Sequence, residues 1–298
     1  MAIVLTENFR ALFYAPFYAA QATGAYAAAG VEVTVLTSPD PATAGQALRD
    51  GTADVMWGGP LRVLTLAQND PAAGFVCFCD VVVRDPFFII GRAACPDFSL
   101  AALSSVRLAT VAEVPTPWLC LQQDLRDAGI DPASIDRVSG PGMGENAEAL
   151  RRGNIDAVQV FQPYAETLLR EGAGHLWYAA ATRGPTAYTT LVTRRDVLAR
   201  RRAELQAMTT AMARTLRWFA ATPAEEIAGL LAGYFPGVAP DLITDVITRY
   251  RSLGLWTTTP VMPRAGFDRL QESMRSGGIL HTRIAFEACV DNTLADAA

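Results

Sequence analysis

The sequence predicts an α/β fold of two similar lobes about a central cleft, and three observations carry that expectation. The first is a phrase that occurs twice. Residues 47–60 read ALRDGTADVMWGGP and residues 149–163 read ALRRGNIDAVQVFQP. Ala47/Ala149, Leu48/Leu150, Arg49/Arg151, Gly51/Gly153 and Asp54/Asp156 pair in register. In each copy a helix ends on Leu-Arg, a Gly takes the left-handed position that closes it, a short apolar strand follows, and a Pro opens the next helix. The second observation is that apolar strands and helical stretches alternate through both halves, as in a mostly parallel sheet. The third is a pair of extended runs, 75–92 and 187–193, that read as two crossings between the halves. Ligands in such sheets bind beyond the carboxyl ends of the strands. Trp57-Gly58-Gly59-Pro60 and Phe161-Gln162-Pro163-Tyr164 are therefore expected to face each other across the cleft.

The elements follow in order. Residues 2–6 form the first strand, and Thr6-Glu7-Asn8-Phe9-Arg10 is the loop at its carboxyl end. A helix begins at Pro16 and is closed by Gly30. Residues 31–36 alternate as a strand. Asp40-Pro41 caps a helix that runs into the first repeat, and 61–69 is helical. The run 75–92 crosses to the second lobe with a break at Asp85-Pro86. There Val106–Val111 is a strand, Glu113-Val114-Pro115-Thr116-Pro117 its terminal loop, and Trp118–Ala128 a helix closed by Gly129. Gly142–Arg152 feeds the second repeat, and 163–171 is helical. Ala187–Thr193 crosses back. Helices over 196–221, 223–232, 239–252 and 264–276 complete the chain, three of them opened by Pro223, Pro240 and Pro263. The lobes are then 1–83 with 190–298, and 84–189.

Composition excludes several functions. The chain has 298 residues, 51% of them hydrophobic, with net charge −5 and a pI near 5.2, so it offers no basic footprint for nucleic acid. No apolar run reaches the ~18 residues of a membrane span. All 25 cationic residues are arginine, which rules out Schiff-base, Walker and general-base lysines. With two histidines, His175 and His281, no multi-histidine metal site forms. The five cysteines, Cys77, Cys79, Cys95, Cys120 and Cys289, read as reduced thiols in apolar runs, and Cys77 and Cys79 are expected on one face of a strand without the further ligands a metal wants. No metal and no cofactor is expected. The chain starts on an apolar strand, which places it in the cytoplasm, or in the periplasm if a leader has been removed.

Several stretches resemble the type II periplasmic-binding proteins of the nitrate/taurine/alkanesulfonate and thiamine-pyrimidine (NMT1/THI5-like) group. They are YAPFYAAQATGAYAAAGVEVTVL, ALRDGTADVMWGGP, DPFFIIGR, ALSSVRLATVAEVPTPWL, ALRRGNIDAVQVFQP and LWTTTPVMPRAGFDRLQESMRSGGIL. The resemblance spans nearly the whole chain. It implies two lobes that close about a hinge, with the C-terminal helices on lobe one. It also implies ligand contacts at Glu7, Asn8, Phe9, Arg10, Trp57, Gly58 and Gly59 of lobe one, and at Glu113, Thr116, Trp118, Gln162 and Tyr164 of lobe two. Asp80, Arg84 and Tyr188 lie near the crossings, and Asp80 and Tyr188 join the ligand set.

These residue types suit a small organic molecule. Gly58-Gly59 lets a ligand approach backbone. The helix starting near Thr116 offers N–H donors. Trp57, Phe9, Trp118 and Tyr164 would cage a planar ring. Glu7 and Glu113 would accept from an amino-heterocycle or amidine, or Arg10 or Arg84 would instead hold a carboxylate or sulfonate by a bidentate bond. No catalytic triad is visible. The resulting expectation is a monomeric solute-binding protein for an aromatic or heteroaromatic ligand, working with an ABC permease if exported. The alternative is a cytoplasmic enzyme or ligand sensor on the same fold, related to thiamine pyrimidine-precursor synthesis; with no lysine and no histidine in either cleft loop, its chemistry would instead be that of a different lyase or isomerase with Glu7 or Glu113 as base.

Overall fold

Ten short strands and thirteen helices assemble into two five-stranded sheets in a computed structural model that describes residues 1–38 and 41–298. The capping role expected of Asp40 lies outside the described residues. In chain order the first sheet receives β1 (Ile3–Thr6), α1 (Ala15–Ala22), α2 (Ala25–Ala28), β2 (Val33–Leu36), α3 (Pro41–Asp50), β3 (Val55–Gly58), α4 (Pro60–Asn69) and β4 (Phe75–Val82). The second receives β5 (Phe88–Gly91), β6 (Arg107–Ala109), α5 (Thr116–Asp127), β7 (Asp136–Val138), α6 (Met143–Arg151), β8 (Ala157–Val160), α7 (Tyr164–Arg170) and β9 (His175–Ala179). The chain then returns with β10 (Thr189–Arg194) and ends in α8 (Arg195–Arg200), α9 (Arg202–Ala221), α10 (Ala224–Leu231), α11 (Pro240–Ser252), α12 (Arg264–Ser276) and α13 (Phe286–Cys289).

The strand orders are β2-β1-β3-β10-β4 and β7-β6-β8-β5-β9. In each sheet the parallel trio is followed by a strand that runs antiparallel to it. The duplicated phrase explains the likeness. Gly51 (φ 76°) and Gly153 (φ 74°) close α3 and α6 in the left-handed region. Each repeat's Asp then pins the neighbouring strand. Val4 N–H donates to Asp54 Oδ2 and Arg107 N–H to Asp156 Oδ2, both at 2.9 Å. The shared carboxylates are thus register devices at the amino-terminal edges of the sheets.

Four expectations change. The helix expected from Pro16 to Gly30 is two helices, because Gly24 turns left-handed (φ 68°) between them. The helix expected over 196–221 breaks at Arg201 into α8 and α9. Strands β7 and β9 had no reading in the sequence; both are edge strands whose residues are largely exposed or half-buried. Cys77 and Cys79 do not share a face. β10 pairs Leu191 with Cys79 but Val192 with Cys77, so a bulge at Phe78 turns the two thiols into different core clusters.

Two segments, 83–87 and 180–188, join the sheets. Thr186 N–H and Tyr188 N–H bond to the carbonyls of Val83 and Val82. A buried charge cluster ties the segments together. Arg183 bonds Asp85 of the first and Asp124 of α5, while Tyr178 Oη–H donates to Asp124. The last helices reach further than lobe one. α9 packs on α1 and α2, but α11 touches α7 and α12 lies on α5. Ion pairs from Arg170 to Asp241 and Asp245, and from Arg249 to Glu166, join α7 to α11. Among the described residues no helix is long and apolar enough to cross a membrane.

Candidate functional site

The loops at the carboxyl ends of the parallel strands enclose an interlobe cleft of two chambers. Asn8 follows β1, Gly59 follows β3, and Val114 and Thr116 follow β6. Together with Phe9, Phe13, Tyr14, Phe87 and Tyr188 they line an inner chamber of about 50 Å³. Outside it lies a chamber of about 850 Å³, formed by Phe9–Leu12 and the 234–238 segment on one side and by α6, α7 and the Phe161–Tyr164 turn on the other. Phe9 belongs to both chambers. Its ring stacks on Phe161 across the cleft with centroids 6.1 Å apart, so this aromatic pair is the partition. Phe13 and Phe87 meet the same Phe161 ring edge-on at 5.2 and 5.3 Å.

The inner chamber is mostly apolar, and among the described residues the polar groups that line it are uncharged. Asn8 Nδ2–H donates to Tyr14 Oη at 3.0 Å. The Tyr188 hydroxyl is buried and has no hydrogen-bond partner. An unmet buried hydroxyl costs about 1–3 kcal/mol, so it marks a place where a further polar atom belongs. Burial pushes the phenols of both Tyr14 and Tyr188 up, which keeps them neutral. The first turn of α5 adds donors. Leu119 N–H is taken by the Pro115 carbonyl and Pro117 has no N–H, which leaves Thr116 and Trp118 outside the helical ladder.

The residues expected in the site divide into three groups. Asn8, Phe9, Gly59, Thr116 and Tyr188 line the inner chamber, and Phe9, Arg10, Glu113, Gln162 and Tyr164 line the outer one. Some of these are already engaged. Glu113 accepts from Ala112 N–H and from Met143 N–H at the start of α6, so it is a helix cap as well as a wall. Gln162 accepts from Glu166 N–H and likewise caps α7.

The third group sits elsewhere, which corrects the expectation for it. Trp57 does not join an aromatic cage; it is 1% exposed and stacks on Phe17 at 5.0 Å in the core beneath the cleft. Trp118 packs in the core of the second lobe with Arg137 over its ring at 4.3 Å. Gly58 faces the Met56 side chain and the edge of Asn8. Glu7 is sealed below the cleft, where it receives the Arg10 guanidinium and the Tyr18 hydroxyl. Asp80 lies inside the sheet, wholly buried, with neither oxygen in a well-formed hydrogen bond. Arg84 donates to the Ala181 carbonyl and so ties the two crossings rather than a ligand.

Sequence reading missed Phe13, Tyr14 and Phe87. Leu12-Phe13-Tyr14 directly follows the first loop, and Phe87 follows the Asp85-Pro86 break. The available signal was that aromatic residues next to a loop at a strand's carboxyl end face the cleft as readily as the loop does. Among the described residues no group of three or more His, Cys, Asp and Glu side chains converges as a metal site.

The comparisons fit this architecture. Residues 94–232 match the NMT1-like family. Over 299 aligned residues, 99% of this chain and 89% of the other, it is 23% identical to YtlA of Bacillus subtilis (strain 168), which carries a provisional name as a binding protein. The periplasmic aliphatic sulphonate binding protein SsuA of Escherichia coli superposes with TM-score 0.76 at 15% identity, covering 95% of this chain and 94% of that one. The desulfurization enzyme DSZB superposes with TM-score 0.71 at 14% identity, covering 99% and 98%. The fold is therefore the two-lobed fold of periplasmic binding proteins, and it carries at least one enzyme among its neighbours.

Proposed function

From a chain with the periplasmic-binding-protein fold and an NMT1-like segment over residues 94–232, we propose a solute-binding protein of an ABC-type importer that closes its lobes around one small organic molecule. The lobes are taken as 1–83 with 190–298, and 84–189. The observation that carries the reading is the inner chamber, where Asn8 and Tyr14 of one lobe, Thr116 of the other and Tyr188 of the returning crossing meet as neutral polar groups among aromatic rings. A ligand that bonds Asn8 or Tyr188 on one side and the start of α5 on the other stabilises the closed state by contacts the open state lacks. The aromatic partition of Phe9 and Phe161 favours a ligand with a planar ring. Work with a permease and residence in the periplasm belong to this reading, and the printed name of the periplasmic SsuA neighbour supports the second.

An enzyme on this fold is the second reading, supported by the likeness to DSZB. It finds little support in the inner chamber. Among the described residues, the titratable side chains that line it are tyrosines held neutral by burial. Native mass spectrometry after passage through a metabolite extract tests both readings. One unmodified molecule per chain, lost in an Asn8→Leu/Tyr188→Phe variant, is expected. Recovery of an input molecule together with a product formed only in the presence of protein overturns the binding reading.

A further inference from the structure

We infer that the cleft's ligand is uncharged, with a compact polar end and an apolar body, and that organic anions such as sulfonates are poor ligands. This rests on the binding reading above and deepens it. The charge around the cleft is already spent. Arg10 lines the outer chamber, but its Nε and Nη2 bond Glu7 at 3.2 and 3.0 Å, and its Nη1 bonds the Tyr234 carbonyl at 2.8 Å. Glu7 is 1% exposed, so drawing Arg10 away toward a ligand strands a buried carboxylate. Arg151, the other guanidinium on this wall, is held by Glu171 and Glu148. Arg62 lines the neighbouring groove between α3 and α4, which reaches Pro115, and its charge is felt at the Tyr14 hydroxyl without its side chain entering the chamber lining.

What remains inside is neutral or negative. Glu113 adds a carboxylate to the outer wall. Among the described residues the inner chamber has no charged side chain in its lining, and the polar groups there are the hydroxyls of Tyr14, Thr116 and Tyr188, the Asn8 amide and the Thr116 N–H at the start of α5. A neutral oxygen such as that of an amide, urea or sulfonamide satisfies such donors at small desolvation cost. A sulfonate there gives up its hydration without meeting a cation. The outer chamber, walled by Phe9, Leu12, Met143, Phe161 and Phe235, then holds the ligand's apolar part.

The test uses two probes of nearly equal shape, benzenesulfonamide and benzenesulfonate, titrated into the intact chain and followed by calorimetry. The sulfonamide is expected to bind at least roughly tenfold more tightly than the sulfonate, with little response to salt. It is also expected to weaken by about tenfold in Asn8→Leu/Tyr188→Phe. A sulfonate that binds as tightly as the sulfonamide, or more tightly, overturns the inference. So does failure of both probes at millimolar concentration. The mass-spectrometric experiment separates the two levels. A bound anion recovered there leaves solute binding intact and removes the charge class alone, whereas recovery of no molecule removes both.

Discussion

Asp80 shows how a single side chain sets a pH dependence. The carboxyl is wholly buried on β4, and desolvation pushes its pKa well above the ordinary 3.8, opposed only by the nearby Val81 N–H. The folded chain therefore binds this proton more tightly than the unfolded chain. Its contribution is fully present below the unfolded value near 3.8 and is lost as pH rises toward the folded value. The loss accrues at up to about 1.4 kcal/mol per pH unit. Asp80→Asn should remove that slope, so its stability gain over the parent chain should grow as pH rises above the unfolded value near 3.8 in urea melts. Parallel slopes in the two proteins would mean that Asp80 is ionised in the fold. The sequence placed this residue near a crossing and hence in the ligand set. It could not reveal that the β4 bulge turns Asp80 into the sheet. Trp57 and Trp118 carry the same lesson, since a large aromatic beside a loop at a strand's carboxyl end satisfies a core as well as a cleft.

Among the elements, the two crossings join the sheets, and Arg183 ties them together. Its guanidinium is 4% exposed and lies between Asp85 and Asp124. Burial pushes the Asp85 carboxyl up, and the guanidinium pulls it back toward the ionised form. Arg183→Met leaves two buried carboxylates without a cation and should cost about 3–5 kcal/mol in chemical denaturation. Adding Asp85→Asn and Asp124→Asn should restore part of it, and a loss under about 1 kcal/mol would show that the cluster is dispensable. The break at Asp85-Pro86 was legible, because Pro stops a strand. The partner was not, since Arg183 lies far along the chain and nothing local marks the pair. Legibility elsewhere followed the same division. The repeat fixed the places of α3, β3, α6 and β8 through local glycine and proline chemistry. Edge strands β7 and β9 escaped because their pairing depends on a neighbour rather than on an apolar run.

At the scale of the whole molecule, the duplicated half-sheets, two crossings and aromatic partition make one device: a cleft whose walls belong to different lobes. The last helices belong to it too. α11 and α12 each touch the second lobe, so the packing between the lobes extends beyond the cleft itself. The loops that line the inner chamber were largely visible in the sequence as loops at the carboxyl ends of strands. Their aromatic floor, Phe13, Tyr14 and Phe87, became visible only once the lobes were brought together. Hydrogen exchange on the intact chain, with and without the molecule recovered by native mass spectrometry, tests this account most directly. The account predicts joint protection of residues 7–14, 57–60 and 113–118 and of the crossing at 186–190, one group on each wall and one at the hinge. Protection confined to a single lobe, or centred on the groove between α3 and α4, would contradict it.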